Sequence, residues 1–197
     1  MRTTRLEAFS DGVLAIIITI MVLEMKEPHG TSLAALRPVV PVFLSYVLSF
    51  VYVGIYWNNH HHMLHAAERV TGAVLWANLH LLFWLSLIPF TTGWLGTSWL
   101  EEDRPAPLPT ALYGVVLLCG AIAYVVLQHT IIQGNPAGST LRAAVGRDMK
   151  GKASLAGYAS AVGMAFVLPA VSVAIYVAVA LLWLIPDRRI EARMRDV

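Results

Sequence analysis

The side chains best suited to hold a metal ion lie in one short run, Asn58-Asn59-His60-His61-His62, followed by His65. His61 and His65 are four residues apart, so on a helix their imidazoles share one face and could chelate a transition metal. The chain has seven histidines in all, and no Glu-x-x-His motif of the kind used by di-iron bundle proteins accompanies them. We therefore expect no bound metal and no cofactor, and we keep a histidine–metal membrane oxidoreductase as the alternative function.

A carboxylate, Asp11, interrupts the start of an otherwise apolar run that extends from residue 5 to residue 24. The run is long enough to cross a bilayer, since a spanning helix needs about 20 apolar residues. A carboxylate inside such a helix costs about 3 kcal/mol on insertion scales, so it needs a polar partner. We expect that partner among the polar residues of the second and third helices, and that the bond fixes the rotation of helix 1. The candidate partners are His60, His61, His62, Asn78 and His80.

The composition identifies the class of protein that must position these groups. Of the 197 residues, 57% are hydrophobic and only 13% are charged, and the mean hydropathy is +0.65. Ordinary soluble domains do not have this balance. The single cysteine, Cys119, excludes an intrachain disulfide, and the sequence contains no nucleotide, phosphate or nucleic-acid motif. We predict an all-α, multi-pass membrane protein that contacts the lipid bilayer and no nucleic acid.

Hydropathy and helix-breaking residues divide the chain into six predicted transmembrane helices, which form a single domain over residues 1–197. Pro89 falls late in the third helix, where we expect a kink. Residues 153–185 carry no charge and are too many for one span, so we place a turn close to Pro169. One long tilted helix is the alternative for this stretch. The predicted helices cover about residues 5–24, 39–59, 70–95, 110–132, 153–168 and 171–186.

Basic residues lie mainly on one side of this six-helix topology. With the N-terminus in the cytoplasm, all 14 lysines and arginines fall on the cytoplasmic side except Lys26, Arg37 and Arg104. Cytoplasmic loops of membrane proteins carry an excess of Lys and Arg. We therefore expect a cell-membrane protein with both termini in the cytoplasm.

Helix 1 has one smooth aliphatic face. At about 100° per residue, Thr19 lies at the edge of this face and Asp11 points nearly the opposite way. Helix packing or lipid contact would explain such a face. A hydrophobic constriction that gates ion flow by dewetting would also explain it, but a single helix cannot enclose a pore, so this interpretation requires an oligomer. The residues of the face are Gly12, Val13, Ile16, Ile20 and Leu23.

The opening of helix 1 resembles a known family. The pattern Arg5-x-x-x-Phe9-Ser10-Asp11 is similar to the signature of the transmembrane protein 175 family of potassium channels, which includes a lysosomal potassium and proton channel. Residues 56–65 and 75–90 also resemble the second and third helices of that family, whereas the later helices match in hydropathy alone. The resemblance implies a homotetramer with four copies of helix 1 around a central pore.

The resemblance also implies roles for single residues of helix 1. It places the narrowest ring at Ile16, further apolar layers at Ile20 and Leu23, and the threonine tied to selectivity at Thr19. The structural alternative for this threonine is a hydroxyl bonded back to the carbonyl of residue 15. No Thr-Val-Gly-Tyr-Gly-like loop is present, so a carbonyl cage cannot select the ion. Arg5 lies near the angular position of the aliphatic face, where it could approach the cytoplasmic mouth.

We predict a potassium-selective or potassium-preferring leak channel and not an enzyme. Permeation is passive, potassium is the permeant ion, and proton permeability is left open. A secondary transporter is a third interpretation, but the sequence lacks the inverted repeats and the midplane substrate site typical of that class.

Overall fold

The computed structural model describes residues 3–65, 67, 69–102, 104–134 and 149–184. Within these ranges every regular element is a helix, which confirms the predicted all-α class. Six of the 11 basic residues that the prediction places in the cytoplasm fall in segments 135–148 and 185–197, outside the described residues. The helices are α1 Thr3–Leu23, a 3-10 helix Leu33–Val39, α2 Val40–His65, α3 Gly72–Ser86, α4 Ile88–Glu102, α5 Pro107–Gly134, α6 Met149–Met164 and α7 Pro169–Leu184.

Within the described residues, four stretches are long and apolar enough to cross a membrane: Thr3–Leu23, Leu33–His65, Gly72–Leu100 and Pro107–Gly134. The described parts of α6 and α7 have 16 residues each, and they adjoin the segments 135–148 and 185–197, which lie outside the described ranges.

The third predicted helix is divided in two. In the structure α3 ends at Ser86 and α4 begins at Ile88. The amide of Leu87 donates to the carbonyl of Trp84 at 3.2 Å, a tighter turn than the regular α-helical pattern. Pro89 has no amide proton to donate to the carbonyl of Leu85 four residues earlier, so the helical ladder is interrupted beside the proline.

The uncharged stretch near the C-terminus contains a turn. Here α6 ends at Met164, residues 165–168 form the turn, and Pro169 is the first residue of α7. Proline suits this first position because the amide proton it lacks would have no partner within the helix. The amide of Leu168 donates to the carbonyl of Met164 at 2.8 Å, so the chain reverses tightly and α6 packs against α7.

The helices pack in two groups that share α2 and α5. In the first group α1 contacts α2, α3 and α4, and α5 packs against α3 and α4; in the second, α6 packs on α5, and α7 contacts both α2 and α5. Buried hydroxyl groups lie near the centre: Ser49 Oγ is 2.6 Å from Thr92 Oγ1 and 3.0 Å from the hydroxyl of Tyr113. These bonds give the hydroxyl groups hydrogen-bond partners, which a hydrocarbon environment could not supply.

Helices α2 and α4 approach each other closely at Gly96. A Cβ atom added there would lie 2.8 Å from the Cα atom of Val42, a backbone atom that can move only with its helix. We expect Gly96→Ala to push α2 and α4 apart and to cost about 1–3 kcal/mol of stability, the usual cost of overpacking. A thermal unfolding assay on the purified protein measures the effect.

Gly54 provides the matched control for this substitution. It is a half-buried glycine of α2, and nothing lies within 4 Å of a Cβ added there. Gly54→Ala should leave the unfolding temperature unchanged or raise it slightly, because alanine favours the helix by up to about 1 kcal/mol. Equal losses for the two variants would show that the close contact at Gly96 does not limit packing.

Candidate pore-lining face of helix α1

Helix α1 has one face packed into the subunit and another left open. Five side chains of the packed face are at most 4% exposed: Leu6, Ser10, Leu14, Ile17 and Met21. The aliphatic side chains predicted to form the constriction lie elsewhere, with Ile16 58%, Ile20 40% and Leu23 81% exposed. The helices α2, α3 and α4 therefore cover one side of α1 and leave the aliphatic face accessible in a single subunit.

Thr19 and Gly12 flank this open face. The hydroxyl of Thr19 is exposed and donates to the carbonyl of Ile16 at 2.9 Å, one residue along from the carbonyl predicted for this bond. The proton is thereby used within the helix, while the oxygen can still accept a bond or contact a cation from outside. A Cβ atom added at Gly12 would meet nothing within 4 Å. The side chains around the face are thus small or aliphatic.

The packed face is held by a chain of hydrogen bonds that joins three helices. Ser10 Oγ donates to the carbonyl of Leu6 at 2.8 Å and accepts from Asn78 Nδ2 of α3 at 3.0 Å. The other amide atom, Asn78 Oδ1, lies 2.7 Å from His60 Nε2 of α2. Because that oxygen can only accept, Nε2 carries the proton. All three side chains are at most 3% exposed, so the chain satisfies polar groups in the packed interior.

Asp11 has a different partner from the predicted set. Its Oδ1 accepts from Trp57 Nε1 of α2 at 3.1 Å, at an exposed position. Asp11 follows Ser10 and therefore points about 100° further around α1, which brings it to the flank of the helix beside α2. In the structure, Ser10 makes the contact with Asn78, and Asn78 in turn contacts His60. No signal in the sequence distinguished these neighbouring polar residues.

The other candidate residues lie outside this hydrogen-bonded chain. The rings of His61 and His65 are stacked with their centroids 5.9 Å apart, and His61 also stacks on Trp57. His62 is exposed, and His80 accepts from Trp84 Nε1 of its own helix at 3.0 Å. Phe9 and Arg5 of the predicted signature are exposed on α1. In the part of the chain that the structure describes, no three His, Cys, Asp or Glu side chains converge on a possible metal position.

Comparison with known proteins identifies the family. The family model described as the endosomal/lysosomal potassium channel TMEM175 matches residues 5–89. A potassium channel of Chryseobacterium sp. (strain P1-3) is 50% identical over 192 residues, 98% of this chain and 97% of the relative. This chain belongs to the TMEM175 family of potassium channels.

Two further relatives agree with this result. A potassium channel of Streptomyces collinus (strain DSM 40733 / Tue 365) is 35% identical over 170 residues, 83% of this chain and 82% of the relative. The crystal structure of a lysosomal potassium-selective channel TMEM175 homolog from Chamaesiphon minutus matches with a TM-score of 0.72 at 28% identity, over 92% of this chain and 95% of that one.

Family membership fixes the broad function. The TMEM175-family protein described here is a multi-pass membrane protein and a cation channel, as predicted, and its relatives are channels, not enzymes. The histidine–metal oxidoreductase kept as the alternative has no support among these relatives. The residues matched by the family model, 5–89, include nearly all of α1 and the whole of α2 and α3, and therefore every residue of the Ser10–Asn78–His60 hydrogen-bonded chain.

Removal of the central asparagine tests how much the hydrogen-bonded chain of Ser10, Asn78 and His60 contributes to stability. Asn78→Ala leaves the buried Ser10 and His60 side chains without their shared partner, which costs about 1–3 kcal/mol per unsatisfied group. We expect a clearly lower unfolding temperature for the purified channel. Asn58→Ala, at an exposed position of α2, is the control and should leave the temperature unchanged. If both variants unfold at the same temperature as the original protein, the hydrogen bonds of Asn78 do not stabilise the packing of α1.

Proposed function

We propose that this protein is a potassium-selective or potassium-preferring leak channel in which four copies of α1 surround a central pore. The observation that carries the proposal is the aliphatic face of α1, which is left uncovered by the other helices that the structure describes in the same subunit. Its relatives named potassium channels, and a structural relative named potassium-selective, support potassium as the permeant ion.

An oligomer is needed because one such face cannot enclose a pathway. A homotetramer around a fourfold axis would place one α1 from each subunit at the centre. The open surface at Gly12 supports close approach of the helices there, since small residues at an interface let helix backbones come together. The helices that cover the opposite side of α1 would then form the surrounding wall.

The proposed constriction consists of stacked apolar rings. Ile16 forms the tightest ring, and Ile20 and Leu23 form further layers toward the end of α1. These residues span seven positions, or about 10 Å along the helix axis. A collar of this length lacks hydrogen-bonding groups for water, so it blocks ions by dewetting until the helices move apart.

Selectivity in this proposal depends on polar atoms beside the collar. Thr19 is exposed next to Ile16 and Ile20, and its hydroxyl oxygen retains a lone pair that can contact a partly dehydrated cation. Ions pass down their electrochemical gradient, so the channel needs no cofactor. The distribution of basic residues along the chain supports a cell-membrane protein with both termini in the cytoplasm.

A polar substitution in the tightest ring tests the proposal. Ile16→Asn should hydrate the collar, raise potassium flux into liposomes severalfold and reduce the discrimination between potassium and sodium. The measurement is cation uptake by liposomes that contain the purified channel, with each cation supplied in turn.

Val22→Asn provides the matched control. Val22 lies on the same helix and is 43% exposed, similar to Ile20, but it points about 120° away from Ile16 around the helix axis. Its substitution should leave the flux and the selectivity unchanged. Unchanged flux in Ile16→Asn, or equal changes in both variants, would place the constriction elsewhere.

A further inference from the structure

The turn between α6 and α7 exposes apolar side chains alone. Phe166, Val167 and Leu168 are 62%, 72% and 56% exposed, and Ala165 and Pro169 flank them. A turn that faces water usually contains glycine, asparagine, aspartate or serine, each of which suits the turn backbone for a different physical reason. The composition of this turn therefore differs from that of a solvated connection.

The connection after α1 shows the contrast. It carries Glu24, Lys26 and Glu27, whereas residues 153–185, on both sides of the α6–α7 turn, include no charged residue. Charged side chains keep a connection at the aqueous surface, because burial of an unpaired charge is costly. The α6–α7 turn has no such group to hold it in water.

The amide protons of the turn are all paired within the hairpin of α6 and α7. The amides of residues 165–168 donate to the carbonyls of Ala161, Gly163 and Met164 over distances of 2.8 to 3.4 Å. The next residue, Pro169, has no amide proton. A turn that lies in hydrocarbon must pair its amides in this way, because no water is present to accept their protons.

The first hydroxyl group of α7 also points inward. Ser172 Oγ donates to the carbonyl of Ala161 at 2.8 Å, and this side chain is fully buried. The bond joins α7 to α6 directly below the turn. The exposed side chains on either side of the turn, Met164 and Val171, are apolar, so this end of the hairpin presents a hydrocarbon surface.

The length of α6 determines how far the turn lies from the charged end of the helix. Lys152 is the last charged residue of α6 before the turn, and α6 ends 12 positions later at Met164. At 1.5 Å per residue this distance is about 18 Å, whereas the hydrocarbon core of a bilayer is about 30 Å thick. Lysine keeps its ammonium group at the headgroups, and its side chain adds about 6 Å at most. The turn thus stops short of the opposite headgroups.

We propose that the α6–α7 turn, residues 165–168, lies inside the bilayer and contacts the lipid acyl chains of the leaflet opposite Lys152. Acyl chains are the partner because α1, the proposed centre of the oligomer, packs on α2, α3 and α4, whereas the turn belongs to α6 and α7. An oligomer built around α1 places the turn toward the lipid. The depth of the turn does not depend on how ions permeate.

Fluorescence quenching by brominated lipid tests the proposal on the full-length channel. In a Cys119→Ser background, Val167→Cys is labelled with a thiol-reactive fluorophore, and the channel is reconstituted in phosphatidylcholine liposomes. Phosphatidylcholine that is brominated on its acyl chains should quench this label, since quenching by bromine requires contact. Thr31→Cys, an exposed position in the polar connection after α1, is the control and should keep its fluorescence in the brominated lipid.

A charged, water-soluble thiol reagent supplies a second measurement on the unlabelled variants, with the reagent present on both sides of the liposome membrane. Val167→Cys should react at least about tenfold more slowly than Thr31→Cys, because a thiol in apolar surroundings stays protonated and only the thiolate reacts. Phe166→Cys repeats both measurements at the neighbouring exposed position, so the result does not depend on the folding of one variant.

Two results would overturn the proposal. Reaction of Val167→Cys at the rate of Thr31→Cys would place the turn in water. Slow reaction without quenching by brominated lipid would show that protein, such as a second copy of this chain, covers the turn. Neither result bears on the constriction, which Ile16→Asn tests separately.

Discussion

The hydrogen-bonded chain from Ser10 through Asn78 to His60 determines which side of α1 faces its own subunit. Each member is a buried polar side chain, and within a membrane no water is available to form a hydrogen bond with an unpaired polar group. A rotation of α1 by one residue would break the bond from Asn78 and move the carboxylate of Asp11 into the packed face. The rotational position of α1 is therefore fixed by the hydrogen bonds of these polar groups together with the packing of Leu14 and Ile17 in the core.

The proposed function follows from that fixed rotation. With Ser10 turned inward, Ile16, Ile20 and Leu23 are left on a face that none of the helices in the described part of the subunit covers.

Helical periodicity was sufficient to predict the aliphatic face of α1, because spacings of three and four residues fix which side chains share a face. It could not choose between Ser10 and Asp11 as the contact to α3, since both are polar and the choice depends on how α1 is rotated against helices far along the chain. Prolines predict where a helix is irregular but not how it is divided. Pro89 predicts an irregularity in the third helix, whereas the division into α3 and α4 at Leu87 depends on which carbonyl loses its hydrogen-bond partner.

The most direct test of the central claim is chemical modification at the outer end of α1. In a Cys119→Ser background, Leu23→Cys places a thiol on the open face and Val22→Cys places one on the flank. A positively charged, water-soluble thiol reagent applied to channels in liposomes should block potassium flux through Leu23→Cys, reversibly on reduction, and should leave Val22→Cys unaffected. Block at Val22→Cys, with Leu23→Cys unaffected, would show that the aliphatic face of α1 does not line the pathway for ions.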